Sequence, residues 1–321
     1  MRVSHSRIKT WRRCENQFNY KYVQGLRAKA KNKNLEMGSW IHELLMHFRD
    51  GQNWLAHHRK LEAEFNNYFE EEREILGHDM PEQCLRLMRS YIRQYGKSDK
   101  KQYTVIDTEM DEIVTLPNGL EVNVIIDLIV EDRKGGLWGW DYKTRTNFDP
   151  KDLILLDPQY SLYYDAMELM GYTPLRGFVV DEIRKKAPTV PKVLARGGLS
   201  KAKNIDTDTW TYMAAIREQG EDPEDYADIL AHIAANQKDR FYRRTYIPKD
   251  PPVLKAVRRE LITSANEIRR AAKGNHHYTR SVDKSCIWGC DYRDLCIIEL
   301  HGGDTSLMKR QSFTTREMKD V

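Results

Sequence analysis

The sequence predicts a mixed α/β (α+β) chain, with helices first, a sheet in the middle and helices again. Three observations carry this. Through the first hundred residues, apolar side chains recur at spacings of three and four, the period of a helix with one buried side. From residue 103 the pattern changes to three segments rich in Val, Ile and aromatic residues, parted by the turn sequences Pro117-Asn118-Gly119 and Arg133-Lys134-Gly135-Gly136. That alternation of strand and turn reads as an antiparallel meander. Asp157-Pro158 then opens a further helix, and an apolar strand follows it. The 321 residues suffice for one large domain or two modest ones.

Taken in order, residues 4–24 read as one helix whose stripe is Ile8, Trp11, Cys14, Phe18 and Tyr22. A second helix spans 38–48, with Ile41, Leu44, Leu45 and Phe48 on its buried side. Residues 52–97 stay helical and highly charged. The strands are expected at 103–116, 121–132 and 137–144. Asp157 is the N-cap of the next helix and Pro158 its first residue, and 177–183 forms a fourth strand. Residues 188–207, rich in Pro, Gly and Lys, read as a loop, and mixed helices and loops continue to the end.

Composition bounds the class. The chain is 40% hydrophobic and 31% charged, with no apolar run near the ~20 residues of a membrane span. The start has no apolar h-region, so the expected compartment is cytoplasmic and reducing. There, clustered cysteines point to metal rather than disulfides. The net charge is only +4, yet residues 1–33 hold ten Lys or Arg against the single acid Glu15. Such a block fits either a polyanion partner, most simply nucleic acid, or a solvated helix face.

The sharpest chemistry lies in the second and third strands. Asp127 interrupts the apolar run Val124–Val130, where an ionised carboxylate is costly without compensation. Asp141 and Lys143 share one face of the next strand, in Trp140-Asp141-Tyr142-Lys143. With the turn centred near residue 134, Asp127 falls opposite Asp141. Two facing carboxylates repel, and a divalent cation with oxygen ligands, magnesium or manganese, relieves that. A nearby lysine can hold or deprotonate water, or neutralise a phosphate. The plainer alternative is a salt bridge between Asp127 and Lys143.

At these residues the chain resembles the PD-(D/E)XK nuclease superfamily, in the RecB-like and AddB-like exonuclease branch that carries an iron–sulfur cluster. Asp127, Asp141 and Lys143 match its D…(D/E)-x-K core. Gly38-Ser39-Trp40-Ile41-His42 matches its Gly-x-x-x-His helix, and Gln159-Tyr160-Ser161-Leu162-Tyr163 its Gln-x-x-x-Tyr helix. The resemblance implies a restriction-endonuclease-like core, a central mixed sheet flanked by helices. It implies that Asp127, Asp141, His42 and the Tyr142 carbonyl bind the catalytic cation, and that Lys143 positions or activates water. Gln159 and Tyr163, one turn apart, would contact DNA or support the site, with Glu109 a possible further acid. Taken alone, His42 reads equally as a helix-surface histidine and Tyr163 as core. His47, His57, His58, His276 and His277 match nothing.

The remaining signal is Cys286, Cys290 and Cys296, a C-x3-C-x5-C set one thiolate short of the usual four. Their nearest alternatives are zinc and an iron–sulfur cluster. The resemblance implies [4Fe–4S] and supplies Cys14 as the fourth ligand, although the branch commonly has x2 where this chain has x3. Such a cluster would join the N- and C-terminal segments. Cys84, among apolar helix positions, reads as a buried free thiol.

The organisation implied is a single nuclease domain over 1–321. It divides into a helical N-terminal region over 1–100, a sheet-and-helix core over 101–185, an insertion over 186–250 and a helical C-terminal region over 251–321 with the cysteines. The implied activity is metal-dependent exonucleolytic hydrolysis of DNA, on single strands or DNA ends, in recombination, repair or phage DNA metabolism. Partner proteins of recombination belong to the same expectation. The alternatives are a structure-specific endonuclease and a non-catalytic DNA-binding recombination partner. Phe241-Tyr242-Arg243-Arg244, Lys201 and Lys203 are expected strand contacts.

Overall fold

A computed structural model of the protein describes residues 2–315. Its centre is a six-stranded mixed sheet built from β1 (Arg2–Ser4), β3 (Tyr103–Thr115), β4 (Glu121–Asp132), β5 (Leu137–Arg145), β6 (Leu175–Arg184) and β7 (Tyr242–Pro248). The short β2 (Leu26–Ala28) pairs instead with β8 (Phe313–Thr315) in a separate ribbon. The expected meander is β3, β4 and β5, all antiparallel. β6 then joins β5 in parallel, and β7 closes the sheet antiparallel to β6.

Helices cover both faces. Lys33–Arg49, Trp54–Asn66 and Met80–Gln102 form one layer, packing Trp40, Leu44, Leu45, Met88 and Tyr91 onto Leu128, Val130, Trp140 and Tyr142. His5–Arg13, Pro158–Leu169 and Pro251–Lys273 form the other, over Val122, Val124, Ile126 and Phe178. A β4 covered on both sides explains why its sequence is a nearly unbroken apolar run. Within β4 the core side changes at Asp127: Val122, Val124 and Ile126 pack with one layer, Leu128 and Val130 with the other.

The same residue marks a gap in the sheet. β3 runs along one edge of β4. The other edge is shared, by β1 at Glu121–Asn123 and by β5 at Leu128–Glu131. Asp127 therefore lies where β4 and β5 part. Opposite it on β3, between the paired positions Thr108↔Leu128 and Met110↔Ile126, Glu109 adopts a left-handed φ of 48°. A non-glycine residue in that conformation inside a strand is strained, which is common beside functional sites.

Several expectations need correction. Residues 4–24 are not one helix. His5–Arg13 ends at Cys14, whose backbone is extended (φ −166°, ψ 115°), and a short turn at Glu15–Phe18 and a wide π-type turn at Asn19–Val23 follow. The break turns Cys14 out of the apolar stripe, in which Ile8, Trp11 and Phe18 are buried. Residues 52–97 are three helices, Trp54–Asn66, Glu70–Leu76 and Met80–Gln102. The region after 184 contains a strand, β7, where loops and helices were expected. Phe241 and Tyr242 are core, Arg244 binds buried Asp181 and Asp99, and Arg243 binds buried Glu182. On this edge strand both arginines are committed to buried acids, so neither is free to follow a nucleic acid strand.

Candidate active site

The β4–β5 register sets the site. Leu128 pairs with Trp140 and Ile129 with Gly139, so the next pair in step is Asp127 and Asp141, as the turn position predicted. The ladder stops before that pair. Instead the Tyr142 N–H donates to Asp127 Oδ2 at 2.6 Å. Alternation along β5 turns Asp141 and Lys143 to the site and the Tyr142 ring to the core. There the Tyr142 hydroxyl accepts from Arg49 Nε at 2.9 Å. Arg49 also holds Asp99, which Arg244 shares with Asp181. Two arginines and two carboxylates thus form a balanced buried network beneath the site.

His42 reaches the site from the Lys33–Arg49 helix, with Nδ1 3.5 Å from Asp127 Oδ1. Gly38, four residues earlier on the same face, is needed for close approach: a Cβ there would lie 3.1 Å from Thr144 Oγ1 of β5. This gives the Gly-x-x-x-His spacing a physical reason. Burial pulls the His42 pKa down, but the hydrogen bond and charge of Asp127, with Asp141 and Glu109, carry it above the ordinary value. Burial, then the Asp127 charge, raises the Glu109 carboxyl. Ligand atoms of His42, Glu109 and Asp127 lie within 4.8 Å of one another, the one such group of three among the described residues. Two oxygen donors and an imidazole suit a divalent cation.

Asp141 stands beside this group and outside it. Its Oδ1 accepts from Lys143 Nζ at 2.8 Å and Gln159 Nε2 at 3.1 Å, and its Oδ2 from the Tyr160 hydroxyl at 3.1 Å. Burial and the Asp127 charge raise its pKa despite Lys143. Burial lowers the Lys143 pKa, but the charge of Asp141 more than restores it, so the lysine is cationic. The salt bridge considered for Lys143 thus exists, with Asp141 rather than Asp127 as its partner. Gln159 supports the site directly. Tyr163 is buried and packs behind it, hydrogen-bonded to Gln159 and the Ile125 backbone. Tyr160 was not anticipated, because only positions 159 and 163 of its motif drew attention. Its place beside Gln159 at the helix start was the available signal.

A cleft meets the site at His42 and Glu109. A cavity of about 720 Å³ is lined by Gly38, Ser39, His42, Glu43, Glu109, Thr144, Arg145 and Lys185 among others. Arg145 and Lys185 were also missed, although Arg145 completes the alternation Asp141, Lys143, Arg145.

The four expected cysteines meet elsewhere. Cys14, Cys286, Cys290 and Cys296 line a single cavity of about 280 Å³ with Asn16, Tyr20 and Tyr292. Cys296 Sγ accepts from Arg280 Nε at 3.2 Å and Asn16 Nδ2 at 3.7 Å. Cys84 is fully buried and burial pushes its thiol up to about 12. Lys201 is held by the Asp225 carbonyl and the Tyr226 ring, away from the cleft lining.

A mixed sheet between helical layers, opening onto clustered carboxylates, an imidazole and a lysine, defines the class as a hydrolytic nuclease fold. The chain belongs to the PD-(D/E)XK nuclease superfamily, whose model matches residues 2–297. No curated protein matches it. A solved structure described as a candidate exonuclease from Eubacterium rectale covers 94% of this chain and 93% of its own, at 12% identity and a TM-score of 0.45. At that score the likeness carries no argument about function. Among the described residues no helix is long and apolar enough to cross a membrane.

Proposed function

We propose that the protein is a cation-dependent DNA exonuclease, acting in the cytoplasm on single strands or DNA ends in recombination, repair or phage DNA metabolism. The observation that carries the reading is the convergence of His42, Glu109 and Asp127 beside the Asp141–Lys143 pair. Asp127, His42 and Glu109 would hold Mg2+ or Mn2+, with Asp141 and the Tyr142 carbonyl as further ligands. A cation bound there supplies positive charge against the phosphate. Lys143, kept protonated by Asp141, orients water and balances phosphate charge. Gln159 and Tyr160 fix the Asp141 carboxylate, and Arg49 fixes Tyr142 from below. Exonuclease rather than endonuclease rests on the combined Gly-x-x-x-His, D…D-x-K and Gln-x-x-x-Tyr motifs.

A basic face supports DNA as the substrate. On the Met80–Gln102 helix, Arg86, Arg89, Arg93, Lys97 and Lys100 follow at steps of three or four, one continuous stripe about 21 Å long. The last four are exposed, and the sole acid between Arg86 and Lys101, Asp99, is buried. Arg86, Arg89 and Arg93 line a small cleft with Ala187, Pro188 and Val190, two to five residues beyond Lys185 of the main cleft. Among the described residues Glu218 is the one acid in that small cleft, so the stripe keeps a net positive charge, which suits a phosphate backbone.

A [4Fe–4S] cluster on Cys14, Cys286, Cys290 and Cys296 belongs to the same reading, supported by their lining one cavity. N–H donors at Cys296 suit a cluster thiolate, since such hydrogen bonds tune cluster ligands. The activity is tested with end-labelled linear and circular DNA in Mg2+ or Mn2+. Linear strands should shorten from their ends and circles survive, and Lys143→Ala should slow cleavage by about 10²–10⁴-fold. No cleavage by the wild type would sink the enzyme reading, and cut circles would make it an endonuclease.

A further inference from the structure

Two basic side chains share the cleft with the carboxylates and have no role in the chemistry assigned above. Asp141, Lys143 and Arg145 alternate along β5, so Arg145 lies on the lysine's side, one step further along the strand. Its charge bears on Lys143 and on Tyr160. Lys185 follows the end of β6, and its N–H donates to the Arg145 carbonyl at 2.7 Å, which sets the two residues side by side.

Their partners leave them incompletely satisfied. Among the described residues, Lys185 Nζ meets only a neutral group, Asn34 Oδ1, at 2.9 Å. Arg145 Nη2 meets Asp149 at 2.8 Å, but its Nε is buried without a hydrogen-bond partner. Burial, then the Arg145 charge, lowers the Lys185 pKa. Like charges set together in a partly dry cleft cost free energy until an anion joins them. The cleft lining therefore carries both kinds of charge: the carboxylates of Glu43 and Glu109 with His42, and the cations Arg145 and Lys185.

We propose that Arg145 and Lys185 form a clamp for the backbone phosphate next to the scissile one, and so fix which bond of the strand reaches Lys143. This rests on the nuclease reading of the same site. The scissile phosphate belongs beside Lys143, and two strand residues advance roughly 6–7 Å, comparable with one nucleotide step. The guanidinium offers a planar fork to phosphate oxygens and the ammonium a point charge.

The test combines Arg145→Gln/Lys185→Gln with short DNA strands that carry an uncharged methylphosphonate at the phosphate flanking the cleaved bond, on one side or the other. For the wild type, neutralising one flanking phosphate should raise KM by about tenfold or more. The double variant should show that rise on ordinary DNA, with a smaller fall in kcat, and lose nothing further on the modified strand. Losses that add, or a KM unmoved by the double variant, overturn the clamp. Equilibrium binding of the same strands in EDTA separates this from the nuclease reading. Non-additive losses in Kd are expected there even for a protein that cleaves nothing, and additive ones again overturn the clamp.

Discussion

At the scale of single residues, the site consists of groups that are costly in isolation. Asp127 is buried in a gap of its own sheet, and Glu109 faces it from a strained backbone, a conformation that costs on the order of 1–3 kcal/mol. Both costs are understandable if a cation draws the two carboxylates together. Asp157 shows the opposite balance. It caps the Pro158–Leu169 helix through the Gln159 N–H and lies 3.3 Å from His5 Nε2. Burial raises its pKa, but His5, the Gln159 N–H and Lys9 outweigh burial and bring it to about 2. A carboxyl more acidic folded than unfolded stabilises the fold above the ordinary carboxyl range and loses that contribution as pH falls through its folded value. Asp157→Asn keeps a cap but not the charge. It should cost about 2 kcal/mol at neutral pH, shrinking to nothing between roughly pH 4 and 2. Urea unfolding of both proteins across that range checks this; an offset that ignores pH would refute it.

At the scale of elements, two helices join the site to its surroundings. Lys33–Arg49 carries His42 at mid-length and Arg49 at its end, so one helix fixes both a cation ligand and, through the Tyr142 hydroxyl, the strand that bears Asp141. Met80–Gln102 turns Tyr91 and Asp99 inward to the same buried network and its arginines and lysines outward. The outward stripe should act on the strand through counterion release. Arg89→Gln/Arg93→Gln/Lys97→Gln is expected to weaken single-strand binding and to flatten the slope of log K against log salt by about 2. Fluorescence anisotropy from low to moderate salt measures the slope, and an unchanged one would show that the strand avoids this helix. The stripe was legible in the sequence, but its exposure was not. The Phe241–Arg244 segment reads as equally basic and aromatic, yet its arginines serve buried acids.

At the scale of the whole molecule, the chain ends meet beside the four cysteines. Contacts other than the proposed cluster also join them. β2 pairs with β8, the Tyr292 ring stacks on Tyr20 and Phe313, and its hydroxyl donates to the Leu26 carbonyl at 2.8 Å. Cys286→Ala should therefore lose bound iron and lower Tm by roughly 5–15 °C while the sheet core stays folded. Iron analysis and thermal melting followed by circular dichroism test this. Full iron content with an unchanged Tm would exclude a cluster held by these thiols.

The sequence by itself determined the meander, its turns and its register, because Val- and Ile-rich runs parted by short Gly-containing turns permit few alternatives. It also singled out Asp127, Asp141, Lys143, His42 and Gln159, which the structure links pairwise: His42 to Asp127, and Lys143 and Gln159 to Asp141. Tertiary structure decided the rest. Three-residue strands such as β1, β2 and β8 have no pattern of their own and exist only by pairing. Cys14 leaves its helix at a backbone break that periodicity cannot show. Whether an arginine is buried with an acid or open to a cleft depends on which strands become neighbours, and that separates Arg244 from Arg145.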